Sequence, residues 1–376
     1  MASTCHSRLW FLLGTGLLAT MLASGCTDSQ DDHNELSTSI QDARIDVESA
    51  MDAILKLNPP TTGTQLGVSG HIRQTPTPAQ WALDNTFRPG IDIDWHPNLV
   101  PKPIRIAIID ESFDVKATGL QHAFDQNAGI NLLSPGQPLW SAHRDGFHHG
   151  NLVASIIANQ PVGNRAPRGV LSGDGIILIP IVAAGGSGPA WRTPRATPSL
   201  ILAGLKHALE ANADIINISA GVDLTPGELA ELAADPVWDL LEQRGIPVVC
   251  AAGNEGRNID HEPMFPASVD RPNVIAVMSI GPAGHPALRP VPGGTWSSGT
   301  NWGPQTVDLA APGEVIEVQA RAAWPELVDG TSAAAAFVTA ALAIDREIRV
   351  KHLAALEGRC RLHGIVQLGP SPKAAD

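Results

Sequence analysis

The chain has 376 residues, of which 43% are hydrophobic, and a formal net charge of −13 at pH 7. This length and apolar content are enough to bury one large core or two ordinary ones, which excludes an intrinsically disordered polymer. The acidic excess argues against nucleic acid and anionic lipid surfaces as partners, because both repel a negatively charged protein.

The N-terminus has the pattern of an export signal. Residues 1–25 carry Arg8 as their only formal charge, followed by the apolar run LWFLLGTGLLATML. That run is short for a membrane-spanning helix and small residues follow it, which favours cleavage. The segment LASGC, ending at Cys26, resembles a bacterial lipobox, in which the cysteine is lipidated and becomes the new N-terminus. We therefore predict membrane anchoring in the bacterial cell envelope through a lipid on Cys26, with a plain secretory signal as the alternative.

Residues 26–79 are expected to form a polar tether with one amphipathic helix. TDSQDDHNELSTS follows Cys26, and apolar residues recur at near-helical spacing within 38–58 before the stop NPP. This segment could instead be a shortened pro-region or a docking helix. A compact domain is predicted to begin near residue 80 and to extend to residue 376.

Five continuous apolar runs in this domain are typical of strands that are buried on both faces. They are IRIAIID (104–110), GIILIPIV (175–182), ADIINIS (213–219), IPVVCAA (246–252) and NVIAVMSI (273–280). Helix-like segments at 199–212 and 226–245 separate some of them. The alternation predicts an α/β fold with a mostly parallel sheet and helices on both faces. In such sheets functional residues gather at the carboxyl ends of the strands.

Four polar residues occur where such a sheet would place functional groups. They are Asp110 at the end of the first strand, His149 in HHGNLVASIIA, Asn254 in CAAGNEG and Ser332 in DGTSAAAAFV. Taken singly, each has an ordinary explanation as a turn, a cap or a helix start. Their occurrence together, in this order and each after a matching local sequence, is much harder to explain as an accident.

Over roughly residues 80–345 the chain resembles the subtilisin-like serine proteases, the subtilases, whose catalytic residues occur in the order Asp, His, Ser. The resemblance is carried by IAIIDESFD, HHGNLVASIIA, ADIINISAG, VVCAAGNEG, NWGPQTVDLAAPGEVI and GTSAAAAFVTAALA. It implies the subtilisin-like three-layer α/β fold and a serine endopeptidase that works through an acyl-enzyme.

The resemblance also implies a role for each of the four residues. Ser332 would be the nucleophile and His149 the general base that takes its proton, since a serine hydroxyl is a poor nucleophile without a base. Asp110 would orient His149 and stabilise the imidazolium that forms. Asn254 would donate a hydrogen bond to the oxyanion, beside the positive end of the helix that Ser332 begins.

A polypeptide substrate is expected to bind as an extended strand between two edges of the protein. By resemblance one edge is Gly186, Ser187 and Gly188, and the other is Ser219, Ala220 and Gly221. The loop after the first edge carries Trp191, Arg192 and Arg195, which either are solvated or wall pockets that favour acidic or aromatic side chains.

Two questions about bound groups and cross-links stay open at the level of sequence. Subtilases often bind structural calcium, but no loop here can be matched to suitably spaced oxygen ligands. Cys250 and Cys360 could pair in an oxidising envelope, although Cys250 lies in an apolar run and is also a typical small core residue. The unpaired state is the favoured expectation.

The chain departs from the family pattern at several positions. Glu111 and Ser112 follow the catalytic aspartate where the family has Thr or Ser and then Gly, Leu152 stands at its second histidine, and Ala336-Phe337 replace its Pro-His. Glu111 could raise the basicity of the catalytic histidine or point to solvent. These departures keep an alternative open, a catalytically inactive binding or scaffold protein of subtilase fold. Retention of the whole catalytic set weighs against it.

Overall fold

The computed structural model describes residues 82–83, 103–139, 148–161, 167–171, 175–184, 197–287, 299–319, 326–345 and 349–367. All of them belong to one compact unit, Gln74–Asp376. Several predictions lie outside the described residues and stay predictions: the signal peptide, Cys26, the helix within 38–58, the edge at Gly186, Ser187 and Gly188, and the loop with Trp191, Arg192 and Arg195.

Thirteen strands are formed within the described ranges. In chain order they are β1 (Ile104–Asp110), β2 (Ile130–Asn131), β3 (Ile176–Val182), β4 (Ile215–Ile218), β5 (Val222–Asp223), β6 (Val248–Ala251), β7 (Met264–Phe265), β8 (Val274–Ile280), β9 (Leu309–Pro312), β10 (Ile316–Val318), β11 (Glu326–Val328), β12 (Arg349–His352) and β13 (Gly364–Gln367). Nine form one sheet in the order β12-β13-β9-β8-β6-β4-β1-β3-β2, in which β12 alone runs antiparallel to its neighbour. All five predicted strands lie in this mostly parallel sheet, which confirms the predicted fold class.

Five α-helices are described: α1 (His149–Ala158), α2 (Pro198–Glu210), α3 (Pro226–Ala233), α4 (Pro236–Gln243) and α5 (Thr331–Ile344). The segment 226–245, expected as one helix-like stretch, is divided into α3 and α4. Pro236 has no backbone N–H and clashes with a preceding helical turn, so it cannot continue a helix but suits a first position. The Asp235 carboxylate accepts a 2.9 Å hydrogen bond from Val237 N and caps the new helix.

The two faces of the sheet bury separate apolar clusters, and β1 shows how the sequence assigns them. Ile104, Ile106 and Ile108 belong to the cluster that contains α1 and α5, whereas Ala107 and Ile109 belong to the cluster that contains α2 and α4. Because side chains alternate along a strand, Asp110 continues the even-numbered set. Its carboxylate therefore projects toward α1.

A buried hydrogen bond fixes α5 to the sheet. Asn217 Nδ2 in β4 donates to Thr339 Oγ1 in α5 at 2.9 Å, and both residues are fully buried. A polar pair in an apolar layer requires one register of the helix against the strand, since any shift leaves both groups unsatisfied.

Among the described residues, no helix has the length and apolar character needed to cross a membrane.

Both cysteines of the core are free thiols in the structure. Cys250 and Cys360 are fully buried in the cluster that contains α2 and α4. Burial raises the pKa of both thiols. The structure therefore agrees with the favoured expectation, in which the two cysteines are small core residues.

Candidate active site

The first strand and the first helix bring Asp110 and His149 together. Asp110 ends β1 and is completely buried, while His149 is the first residue of α1. His149 Nδ1 donates to Asp110 Oδ1 at 2.6 Å, a short bond typical of a charge-assisted pair. With Nδ1 carrying the proton, Nε2 is left as the acceptor. This is the tautomer in which a histidine can take a proton from a hydroxyl.

The backbone and a second polar pair hold this arrangement. Glu111 N donates to the same Asp110 oxygen at 2.7 Å, and Glu111 itself is half-buried. Ser112 O accepts from Gly150 N at 3.1 Å, and Ser112 Oγ lies 3.2 Å from His148 Nδ1. Both Ser112 and His148 are buried. Ser112, one of the departures from the family pattern, thus links the segment after Asp110 to His148, the residue that precedes His149. The sequence did not reveal this contact.

Ser332 lies in the first turn of α5 and is 9% exposed. Gly330, the N-cap residue, has a φ of +143°, which side-chain-bearing residues rarely adopt, so glycine is needed for the chain to turn into the helix here. First-turn N–H groups have no acceptor within a helix and lie at its positive end. The serine hydroxyl and its own N–H are therefore both placed at a site that favours negative charge.

Asn254 is oriented by Thr331, the residue before Ser332. Its Oδ1 accepts from Thr331 N at 2.9 Å, and Thr331 Oγ1 lies 3.3 Å from the same atom. A backbone N–H can only donate, so the atom facing it must be the amide oxygen. The amide is planar, which directs Nδ2 away from Thr331. A donor is thereby held beside the start of α5.

A buried side chain braces the loop that carries Asn254. Asn301 is fully buried, and its Oδ1 accepts from Glu255 N and from Arg257 N, each at 3.1 Å. Its Nδ2 donates to Ala252 O at 2.9 Å and to Glu255 Oε2 at 2.7 Å. One side chain therefore satisfies the backbone on both sides of Asn254. The motif NWGP contains Asn301, but nothing in the sequence indicates which loop it supports.

The strand order explains why these groups meet. Asp110 ends β1 and Asn254 lies three residues beyond β6, with β4 between the two strands. Neighbouring strands lie roughly 5 Å apart, so the two carboxyl ends are separated by about 10 Å. The helices α1 and α5 pack against each other on the face toward which Asp110 projects. Gly150 N in α1 donates to Ser112 O beyond β1, and Thr331 N in α5 donates to Asn254 Oδ1 beyond β6, so both helices begin at this edge of the sheet.

Of the two predicted substrate edges, the structure describes the second. Ser219, Ala220 and Gly221 follow β4 and are half-buried. Ser219 Oγ donates to Asn217 Oδ1 at 3.0 Å, on the side chain that also holds α5. The segment lies between the ends of β1 and β6, where an extended peptide could pass both Ser332 and Asn254.

Two departures from the family pattern fall on the packed helices. Leu152 in α1 is 4% exposed and Phe337 in α5 is 3% exposed, and both belong to the same apolar cluster. Apolar side chains thus stand in the core at two positions where the family has histidine. Neither change touches the hydrogen bond between His149 and Asp110.

Two carboxyl groups lie beside the segment that enters α5. Asp329 precedes Gly330, and its Oδ1 accepts from Val315 N at 2.7 Å, while Gly330 N donates to Gly313 O at 2.7 Å. Glu314 lies between Gly313 and Val315, in the turn that joins β9 to β10. Burial raises the pKa of Glu314 to about 6, and the negative charge of Asp329 adds to the shift.

Replacing this glutamate is expected to stabilise the protein at neutral pH. Because the folded-state pKa lies above the unfolded one, the folded protein binds the proton more tightly, and stability falls as pH rises through about 6. We expect Glu314→Gln to unfold at a higher temperature than wild type at pH 7.5, and the difference to close toward pH 4.5. Thermal unfolding followed by circular dichroism across this range measures it. Glu231→Gln, at an exposed glutamate of α3, removes the same charge and is the control. A pH-independent difference for Glu314→Gln would contradict the assignment.

No group of three or more His, Cys, Asp and Glu side chains within the described parts of the chain is arranged to hold a metal ion.

Comparisons with known proteins agree on one family. The model of the subtilase family, Peptidase_S8, matches residues 102–356. The major intracellular serine protease of Bacillus subtilis (strain 168) is 30% identical over 256 residues, covering 66% of this chain and 70% of that protein. Subtilisin of Bacillus pumilus is 28% identical over 245 residues, covering 64% and 76%.

Solved structures show the same fold at lower identity. A cold-adapted subtilisin-like serine proteinase matches with a TM-score of 0.53 and 22% identity, over 71% of this chain and 85% of that one. The epidermin leader peptide processing serine protease of Staphylococcus aureus matches with a TM-score of 0.54 and 18% identity, over 77% and 79%. The fold, a mostly parallel sheet with helices on both faces, is that of the subtilisin-like serine proteinases. The chain belongs to the subtilase family and is a subtilisin-like serine endopeptidase.

Proposed function

We propose that Asp110, His149 and Ser332 form the catalytic triad of this endopeptidase and that Asn254 completes its oxyanion hole. The observation that carries the proposal is the 2.6 Å hydrogen bond from His149 Nδ1 to the buried Asp110 carboxylate, because it places the proton on Nδ1 and makes Nε2 the basic nitrogen of the ring. Polypeptide substrate lies extended along Ser219–Gly221 and, on its other side, along Gly186–Gly188.

In the first half of the reaction Ser332 Oγ bonds to the peptide carbonyl carbon as its proton passes to His149 Nε2. The carbonyl oxygen becomes an oxyanion, which accepts hydrogen bonds from Asn254 Nδ2 and the Ser332 N–H. The carbon–nitrogen bond then breaks, and His149 gives its proton to the departing amine. The product is an acyl-enzyme on Ser332.

In the second half water replaces the amine. His149 takes a proton from the water as its oxygen attacks the acyl carbon, and the same oxyanion donors stabilise the second intermediate. The bond to Ser332 Oγ breaks and the oxygen recovers its proton from His149. Throughout, Asp110 accepts the hydrogen bond from His149 Nδ1 and stabilises the imidazolium without taking its proton.

Labelling with a fluorophosphonate tests this function, because the reagent reacts with activated serine hydroxyls. We expect the purified wild-type protein to be labelled and the Asn254→Ala variant to be labelled more slowly. The variant is also expected to turn over peptide substrate about 100- to 1,000-fold more slowly, with little change in KM. Asn254→Asp keeps an acceptor for Thr331 but lacks the donor, so its loss is expected to be at least as large.

The alternative function has a distinct outcome in the same experiment. A well-folded wild-type protein that neither takes the label nor cleaves any peptide would favour an inactive binding or scaffold protein of this fold. An Asn254→Ala variant within threefold of wild type would instead contradict only the role given to Asn254.

We propose further that the enzyme is exported and anchored to the cell envelope by a lipid on Cys26, with residues 26–79 as a tether. Support comes from the apolar run before LASGC and the polar sequence after it. A Cys26→Ala protein that still fractionates with membranes, like wild type, would contradict the lipid anchor.

A further inference from the structure

The space beside Asn254 decides which substrate side chains the site can accept. The acyl residue is the substrate residue whose carbonyl carbon Ser332 attacks. In the proposed mechanism its carbonyl oxygen faces Asn254 and its backbone runs along Ser219–Gly221. Its side chain must then point into the gap between Gly221 and Gly253, the glycine before Asn254.

Met264 fills this gap. It is 5% exposed, although both glycines are only half-buried. A Cβ added to Gly221 would overlap the Met264 sulfur and lie 3.1 Å from its Cγ. A Cβ added to Gly253 would overlap Asn301 Nδ2 and lie 2.6 Å from Glu255 Oε2 and 2.7 Å from the Met264 methyl carbon. The thioether therefore fills the space beside Gly221 and shares the space beside Gly253 with two polar side chains.

The backbone of Met264 is held in place, so only its side chain could move aside. Met264 N donates to Ser268 Oγ at 3.0 Å, and Ser268 N donates to Met264 O at 2.7 Å. Met264 is also paired with Asp223 in the short antiparallel β5–β7 sheet. In that sheet, β5 directly follows the substrate edge Ser219–Gly221, and β7 carries Met264.

We propose that Met264 determines the specificity of this endopeptidase by limiting the acyl residue to small side chains, above all alanine and glycine. The inference rests on the proposed function, because Asn254 and Ser332 define where the attacked carbonyl lies. A leucine or phenylalanine could enter only by displacing the thioether from its apolar contacts, which is unfavourable in a packed cluster.

Four tetrapeptide p-nitroanilides that differ only in the acyl residue, Gly, Ala, Leu or Phe, test the proposal on the full chain. For wild type we expect kcat/KM for Ala to exceed that for Leu and Phe by about tenfold or more, the scale on which apolar pockets discriminate. In Met264→Ala the gap is open, and the ratio of Leu or Phe to Ala is expected to rise at least about tenfold.

Two further variants separate this effect from loss of packing. Met278→Ala truncates another buried methionine of the same apolar cluster, in β8, and is expected to leave the substrate ratios unchanged. Truncating a buried methionine lowers stability. If Met264→Ala does not fold, Met264→Val removes less volume, suits the strand, and is expected to shift the ratios in the same direction by a smaller factor.

The outcomes distinguish failure of this inference from failure of the proposed function. Wild-type protein that takes the fluorophosphonate label but cleaves Phe as well as Ala would overturn the role of Met264, as would unchanged ratios in both Met264 variants. Protein that is neither labelled nor active on any of the four peptides would contradict the proposed function, and this inference with it.

Discussion

Substituting the proposed nucleophile, Ser332→Ala, is expected to lower kcat on a peptide p-nitroanilide by about a million-fold, the loss known for removal of the triad serine in a subtilisin. Fluorophosphonate labelling is expected to disappear. The fold is expected to survive, because Ser332 lies in the first helical turn before four alanines, and alanine has the highest helix propensity. Steady-state rates at high enzyme concentration, with thermal unfolding in parallel, measure both effects.

The control for this variant removes a hydroxyl elsewhere. Ser134→Ala, at an exposed serine in the turn after β2, is expected to match wild type in rate and labelling. Loss of less than about tenfold in Ser332→Ala would mean that another group is the nucleophile. The catalytic assignment would then have to be abandoned even though the family is established.

Neutralising the buried carboxylate, Asp110→Asn, is expected to lower kcat by about 10,000-fold at neutral pH with little change in KM. The amide has nearly the same shape, but it lacks the charge that stabilises the imidazolium. It can also present an N–H to His149 Nδ1, which favours the wrong tautomer. Initial rates over a range of substrate concentrations separate kcat from KM.

A second aspartate on the same loop provides a matched control. Asp114 Oδ1 accepts from Lys116 N at 3.0 Å, and Asp114→Asn removes a negative charge four residues beyond Asp110. We expect this variant to stay within about threefold of wild type, since its carboxylate orients a turn. Equal losses in both variants would show that the charge of the loop matters, and would contradict orientation of His149 by Asp110.

Much of the central sheet could be predicted because its strands carry their own signal. IRIAIID and VIAVMSI are continuous apolar runs, and such runs are stable only where both faces are covered. The division of 226–245 into α3 and α4 could also have been predicted from Asp235-Pro236, which combines a cap residue with a proline. The predicted single segment overlooked that local rule.

Contacts between residues far apart in the chain could not be predicted in this way. Asn301 braces a loop more than forty residues earlier, and Thr331 turns the amide of Asn254 across 77 residues. Ser112 and His148 lie next to recognised motif positions, yet their contact depends on how β1 and α1 meet. The sequence indicates that a buried polar side chain requires a hydrogen-bond partner, but it does not indicate which residue is that partner.

The sequence by itself determined the order of the catalytic candidates, the alternation of buried strands and helices, and the placement of Asp110, Asn254 and Ser332 after strands or at a helix start. These are local properties, set by residue type and spacing. Only the tertiary structure decided that His149 Nδ1 meets the Asp110 carboxylate, that the Asn254 amide oxygen faces Thr331 N, and that Met264 lies against Gly221 and Gly253. Those contacts depend on strand order and side-chain packing, because they join residues that are far apart in the sequence and meet only in the folded protein.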